Sequence, residues 1–139
     1  MKAKEFLKQY EYAQQRADMC RKEYEVEMLK IDAIGSTLAG DGQPHGSGIS
    51  RKTEDKALRL AEKAKRWKSV EREALKERQE VFEVVSMVNG IEGKILYQRY
   101  VDLNKWEQIC VNIPMSWTGA HKAHKRALAI VQGILDNRV

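Results

Sequence analysis

The chain has 139 residues, of which 42% are apolar, 32% charged and only 7% aromatic. This composition excludes collagen, a Pro/Gly low-complexity chain and a disulfide scaffold, and it favours long charged helices in one ordinary domain or one small domain with an extended appendage. The net charge of +5 is modest, but no acidic residue lies between Glu107 and Asp136, which suggests a polyanion-binding face in that region.

Three features of the sequence predict where the protein works. The longest aliphatic run, residues 127–131, is far shorter than the roughly 20 residues that a membrane span needs. The first residues run directly into a charged periodic stretch, without a secretory apolar segment. Cys20 and Cys110 show neither metal-ligand spacing nor a disulfide framework. We therefore expect a cytoplasmic protein with reduced thiols and no membrane association.

The first predicted helix carries apolar residues at alternating spacings of four and three, with Glu27 in the one polar slot. The apolar positions are Phe6, Tyr10, Ala13, Ala17, Cys20, Tyr24, Ile31 and Ile34. Such a seam over about four heptads is typical of a helix packed lengthwise on another helix. Gly35 is the predicted C-terminal end of this helix. Residues 36–50, rich in glycine and serine, are predicted to form a mobile loop.

A second predicted helix follows, with Ser50 or Thr53 as its N-cap. Its seam is interrupted by Glu71 and Arg78 and contains Ala57, Leu60, Ala64, Trp67, Ala74, Val81, Val85 and Val88. Two helices of about 35 residues, each roughly 50 Å long, are expected to form an antiparallel, coiled-coil-like hairpin over residues 1–88. Because alanine-rich seams bury little area, we expect a homodimer or a higher homo-oligomer. The alternative is that the hairpin packs on its own C-terminal domain.

Residues 89–139 are predicted to form three shorter helices. Asn89 and Glu92 fit a capping box that opens a helix reaching about residue 101. Asn104 and Glu107 offer a second capping box, before a short helix that Pro114 closes. Ser116 is predicted to cap a final helix, residues 117–135. One face of that helix is apolar and contains Ala120, Ala123, Ala127, Leu128, Val131 and Leu135.

A short helix, a tight turn and a longer basic helix make a helix-turn-helix pattern, in which the second helix enters the major groove of DNA. We therefore predict an all-α fold, in which the long hairpin is followed by a small helix-turn-helix domain at residues 89–139. Lysine and arginine can neutralise phosphates, threonine and histidine can read base edges, and tryptophan can pack on a sugar or a thymine methyl group. The candidate DNA contacts are Ser116, Trp117, Thr118, His121, Lys122, Lys125 and Arg126.

The motif letters of this region resemble the C-terminal helix-turn-helix of sigma factors, region four. The matching residues are Leu96, Arg99, Tyr100, Trp106, Glu107, Ile109, Ser116, Ala127 and Leu128. With its heptad-bearing first half and glycine-rich loop, the chain is similar in architecture to small phage and prophage transcriptional regulators of the ArpU or RinA type. The resemblance implies a sequence-specific, DNA-binding transcription regulator that acts on double-stranded DNA and has RNA polymerase as a candidate partner. Two positions depart from the pattern: Pro114 replaces a turn glycine, and Gly119 replaces a basic or polar side chain.

Two other functions stay open at this point. A phage packaging-initiation protein, similar to a small terminase subunit, also joins a helix-turn-helix to oligomerising helices. A helical adaptor would contact another protein, such as RNA polymerase, without binding DNA. We expect no catalysis, because the chain has no phosphate-binding glycine loop, no serine-centred elbow and no carboxylate pair with an obvious cleft. We also expect no cofactor and no metal, since no cysteine or carboxylate near His121 and His124 completes a metal site.

Overall fold

The structure, a computed structural model, describes residues 1–40 and 51–138. These residues contain no strand and form five α-helices: α1 (Ala3–Gly40), α2 (Arg51–Val85), α3 (Gly90–Leu96), α4 (Trp106–Asn112) and α5 (Trp117–Asp136). α3 continues directly into one π-helical turn, Tyr97–Val101. The two long helices pack against each other, so the predicted all-α fold with a helical hairpin is confirmed. In the part of the chain that the structure describes, no helix has the length and apolar character needed to cross a membrane.

The first helix is longer than predicted. α1 continues through Gly35 and ends at Gly40, so the predicted end at Gly35 is wrong and residues 36–40 belong to a helix. An internal glycine costs a helix only about 1 kcal/mol relative to alanine, which is too little to end it. Thr53 lies inside α2 rather than at its N-cap. The remainder of the predicted loop, residues 41–50 with Ser50, lies outside the described residues.

About half of the predicted seam positions of the two long helices are buried, and most of the others are half-buried. Phe6, Tyr10, Ala13 and Ala17 are buried in α1, as are Ala74, Val81 and Val85 in α2. Glu27 occupies the polar slot and is only 3% exposed, with Lys30 Nζ lying 3.4 Å from its Oε2 atom. Ala57 is exposed, so its predicted place in the seam is wrong.

The described chain divides into two compact units. The first unit, Gln15–Arg72, contains the middle of the hairpin. Here the Tyr24 and Trp67 rings stack with centroids 5.4 Å apart, and Arg21 Cζ lies 5.8 Å from the Trp67 centroid. Lys63 Nζ also lies 3.5 Å from Glu23 Oε2. An aromatic stack, a cation–π contact and an ion pair therefore join α1 to α2 in this unit.

The second unit combines Met1–Gln14 with Glu73–Val139. Its main core brings together buried side chains from α1, α2, α3, the π-turn segment and α5, among them Leu7, Val81, Leu96, Tyr100 and Val131. Gln132 of α5 reinforces this packing, because its Oε1 accepts a hydrogen bond from Ala3 N at 2.8 Å and its Nε2 donates to Met1 O at 3.2 Å. The boundary predicted between residues 88 and 89 lies inside this unit. The ends of the hairpin thus pack on the C-terminal helices, as in the alternative to self-association.

A smaller core lies beside the first one and joins the last three helices. It contains the buried side chains of Ile95, Ile109, Ile113 and Ala123, and Trp106 is half-buried against it. On α5, the predicted apolar face is confirmed: Ala120, Ala123, Ala127 and Val131 are buried, and Leu128 and Leu135 are half-buried.

Of the three predicted helix N-termini in the C-terminal region, the structure confirms one cap and contradicts two capping boxes. Ser116 is the N-cap of α5, and its Oγ accepts a hydrogen bond from Gly119 N at 3.0 Å. Asn89 stands at the N-cap of α3 but its side chain makes no capping hydrogen bond, so the first capping box is wrong. The second is also wrong, because Lys105 rather than Asn104 precedes α4. Leu103 has a left-handed φ of 57°, which redirects the chain just before α4 begins.

The end of α4 agrees with the prediction. α4 stops at Asn112, and Ile113 has extended backbone angles, φ −112° and ψ 106°. Pro114 follows directly, and a proline disfavours helical geometry in the residue before it. The turn before α5 is therefore set locally by the proline and by the serine cap.

We predict that Gly93→Ala destabilises the protein by about 3 kcal/mol or more. A Cβ atom on Gly93 would lie 2.0 Å from the Val88 carbonyl oxygen, and because this is a backbone atom the chain itself would have to shift. Gly133→Ala is the matched control, because a Cβ atom there meets nothing within 4 Å and should stabilise α5 by up to about 1 kcal/mol. Chemical denaturation of both variants measures the difference, and equal stabilities would contradict the prediction.

Candidate nucleic-acid interface

The outward face of α5 presents a polar stripe. Thr118, Lys122 and Lys125 are all exposed, and their i, i+4, i+7 spacing places them on one side of the helix. The opposite side is buried through Ala120 and Ala127. The tertiary structure therefore brings three of the seven predicted DNA contacts together on a surface that faces solvent.

Arg126 lies at the edge of this stripe and has a partner within the protein. Its Nε atom is 3.1 Å from Glu92 Oε1, and the arginine side chain is still 58% exposed. A hydrogen bond from the backbone and the guanidinium of Arg126 both lower the pKa of Glu92. The ion pair connects α5 to the first turn of α3, so Arg126 has a structural role besides the predicted phosphate contact.

His121 lies at the other edge of the stripe. Its Nδ1 atom is 2.9 Å from the Trp117 carbonyl oxygen. Because a carbonyl oxygen only accepts hydrogen bonds, Nδ1 carries the proton and donates. In the neutral ring, Nε2 is then the acceptor. The ring itself is held between two indoles, with its centroid 4.4 Å from that of Trp106 and 4.6 Å from that of Trp117.

The start of α5 combines a cap with an exposed indole. Ser116 uses its hydroxyl to accept the Gly119 N–H, so this candidate DNA contact is first of all a helix cap. A Cβ atom at Gly119 would lie 3.0 Å from Ser116 Oγ. Trp117 is 53% exposed although its ring contacts His121.

Sequence reasoning missed a partly buried polar pair that joins the π-helical turn to α5. Tyr100 is 1% exposed, and its hydroxyl lies 2.6 Å from His124 Nε2. Burial raises the pKa of Tyr100 to about 12 and lowers the pKa of His124 to about 4, with the charge of His121 adding to the second shift. At neutral pH the imidazole is uncharged, and its Nε2 can accept the Tyr100 hydroxyl hydrogen. Both residues stood in predicted helices, but their pairing depends on tertiary packing.

Arg99 and Tyr100 lie in the π-helical turn and reach different partners. In the wider turn Asp102 N donates to Tyr97 O at 2.9 Å, which is the i→i+5 pattern of a π-helix. Tyr100 then faces His124, while Arg99 lies with its Cζ 5.7 Å from the Trp106 centroid. Arg99 Nη1 also donates to Asn104 O at 3.2 Å. No residue in this stretch signals the π turn from the sequence alone.

Comparison with known proteins identifies no relative of this chain. No protein-family model, curated protein or solved structure matches the chain. Across residues 1–40 and 51–138, no group of three or more His, Cys, Asp or Glu side chains is arranged to hold a metal ion. The function is therefore inferred from the exposed stripe of α5 and its surroundings.

We predict that the protein loses stability as the pH falls from about 6.5 to about 4. In the unfolded chain His124 takes up a proton near pH 6.5, whereas in the folded protein its pKa is about 4. The unfolded state therefore binds more protons in this window, and acid favours unfolding. With solvent screening of a half-buried group, the loss should be about 1 to 2 kcal/mol.

Melting temperatures of variants between pH 7 and pH 4.5 test this origin of the acid sensitivity. His124→Gln should melt with a smaller pH dependence than the unchanged protein, because its side chain does not titrate. Tyr100→Phe is the control: it loses the hydroxyl but keeps a half-buried His124, so the pH dependence should persist. An unchanged pH dependence in His124→Gln would refute the prediction.

Proposed function

We propose that this protein is a sequence-specific, DNA-binding transcription regulator of phage or prophage origin, with α5 as its recognition helix. The observation that carries the proposal is the exposed stripe of Thr118, Lys122 and Lys125 on a helix whose other face is buried. α4 and α5 are joined by residues 113–116, a connection of the length used in helix-turn-helix motifs. A helix supported in this way can enter the major groove without losing its core contacts.

The stripe offers separate groups for phosphates and for bases. Lys122 and Lys125 are exposed cations that suit phosphate contacts, which dominate affinity and make it salt-dependent. Thr118 has a hydroxyl that can donate or accept. His121 Nε2 can accept from the exocyclic amino group of adenine or cytosine in the major groove. This division supports sequence-specific binding, and we propose no catalytic role.

We further propose that the protein binds DNA as a homodimer. The seams of α1 and α2 are used within the chain, so a dimer needs another surface. Met19, Val26 and Leu29 are exposed on α1 in the Gln15–Arg72 unit. Their i, i+7, i+10 spacing is that of coiled-coil a and d positions, which suits a second copy of α1. Two recognition helices would then bind half-sites separated by about one helical turn of DNA or a multiple of it.

Selection of bound duplexes from a random pool tests the proposed function. With the purified full-length protein, we expect enrichment of one motif in the form of an inverted repeat, and light scattering should give a dimer. Retention of duplexes without an enriched motif would contradict sequence-specific regulation. A ring of many subunits would favour packaging initiation instead. Failure to retain any duplex at low salt would contradict DNA binding and favour the adaptor.

We predict different effects from two substitutions on α5. Lys122→Glu should weaken binding to all duplexes and reduce the salt dependence by about one phosphate contact, whereas His121→Ala should change sequence preference more than overall affinity. Lys68→Glu is the matched control, because it makes the same charge change at an exposed lysine of α2. Binding titrations over a range of salt concentrations measure these effects. Equal losses for Lys122→Glu and Lys68→Glu would contradict a local contact at Lys122.

A further inference from the structure

Four side chains form a continuous stack that ends at the first residue of α5. We name this stack the aromatic column; its members are Arg99, Trp106, His121 and Trp117. Arg99 Cζ lies 5.7 Å from the Trp106 centroid. The Trp106 and His121 rings are 4.4 Å apart and inclined by 33°, and the His121 and Trp117 rings are 4.6 Å apart and inclined by 31°. The rings are therefore close to one another and moderately tilted.

The inner members of the aromatic column have additional partners that hold them in place. Trp106 packs against the smaller hydrophobic core, and its ring meets that of His124 edge-on at 4.9 Å. Arg99 donates a hydrogen bond to Asn104 O, and His121 donates one to Trp117 O. The face of Trp117 that contacts His121 consequently rests on an ordered support.

The outer end of the aromatic column is open to solvent. Trp117 is 53% exposed, more than the other exposed aromatic side chains of the described residues, Tyr12 at 49% and Phe82 at 38%. An indole kept partly in water but supported on one face is suited to binding, because little side-chain entropy remains to be lost when a partner covers it. Large, preordered aromatic side chains of this kind commonly anchor interfaces.

The position of Trp117 on α5 specifies what it can meet. Trp117 is the first residue of the helix and is followed directly by Thr118 of the exposed stripe. In a helix-turn-helix protein this end of the recognition helix meets base edges. The indole has apolar faces, a single N–H donor and no acceptor. It therefore cannot form the bidentate hydrogen bonds that distinguish guanine or adenine, whereas its apolar faces suit an apolar group.

We propose that Trp117 reads the 5-methyl group of a thymine in the major groove. The methyl group is the apolar feature that thymine presents there. In this assignment Trp117 makes the contact with the methyl group, and Trp106 and Arg99 are positioning residues that act through it. His121 supports the Trp117 ring in addition to its proposed base contact through Nε2. The inference rests on the proposed function and deepens it, since it names one base feature that the recognition helix selects.

Parallel selections from two random duplex pools test the inference. One pool is made with thymidine and the other with deoxyuridine, which lacks only the methyl group. The unchanged protein should enrich a motif with thymine at one defined position, and this preference should disappear in the uracil pool. On the selected duplex, replacing that thymine by uracil should reduce affinity roughly three- to tenfold, the effect of about one buried methyl group.

Variants assign the preference to the indole. Trp117→Ala should bind the thymine and uracil duplexes with equal affinity, and Trp117→Phe should restore part of the difference because it keeps an aromatic ring. Tyr12→Ala is the matched control, because it removes an aromatic side chain of similar exposure, 49%, from α1, and it should retain the full thymine preference. Because Trp117 is exposed, melting temperatures of its two variants should show that the unit is still folded.

The outcomes separate this inference from the proposed function. If the unchanged protein enriches the same motif from both pools, it is a DNA-binding regulator but Trp117 does not read a methyl group. A thymine preference that survives in folded Trp117→Ala would also overturn the inference. If neither pool yields an enriched motif, sequence-specific binding itself fails, and the inference fails with it.

Discussion

The core that the two ends of the hairpin share with the C-terminal helices is the constraint on which the rest of the structure depends. α3 and α4 have seven residues each, too few to bury a sufficient apolar area by themselves. Leu7 from α1 and Val81 from α2 supply the missing surface by packing in one cluster with Val131 of α5. Stability of the candidate DNA-binding helices therefore depends on residues that are distant in sequence, including the first fourteen of the chain.

This shared core also determines which side of α5 faces solvent. Once Ala127 and Val131 are buried, the helical period places Lys122 and Lys125 outward. The buried Tyr100–His124 hydrogen bond lies between the π-helical turn and α5. An unpaired polar group in such a place would be costly, so the pair adds specificity to the packing. Orientation of the exposed stripe thus follows from burial elsewhere.

The seven candidate DNA contacts differ in the interactions that they make within the folded protein. Ser116 caps α5, and Arg126 pairs with Glu92, so both side chains stabilise the folded protein. His121 is intermediate, because Nδ1 is bound to a carbonyl while Nε2 is the acceptor in the neutral ring. Thr118, Lys122 and Lys125 are exposed on the outward stripe, and they are the residues on which the proposed DNA contact chiefly depends.

Local patterns in the sequence determined the helical class, the two seams, the Ser116 cap and the apolar face of α5, because each depends on periodicity or on neighbouring residues. Features that depend on distant residues came only from the tertiary structure. Glu92 pairs with Arg126 rather than completing a capping box, and the aromatic column joins Arg99 to Trp117 across three segments. Helical periodicity states which face of a helix is apolar, whereas the partner of each face is decided by the packing that excludes most water from the whole unit.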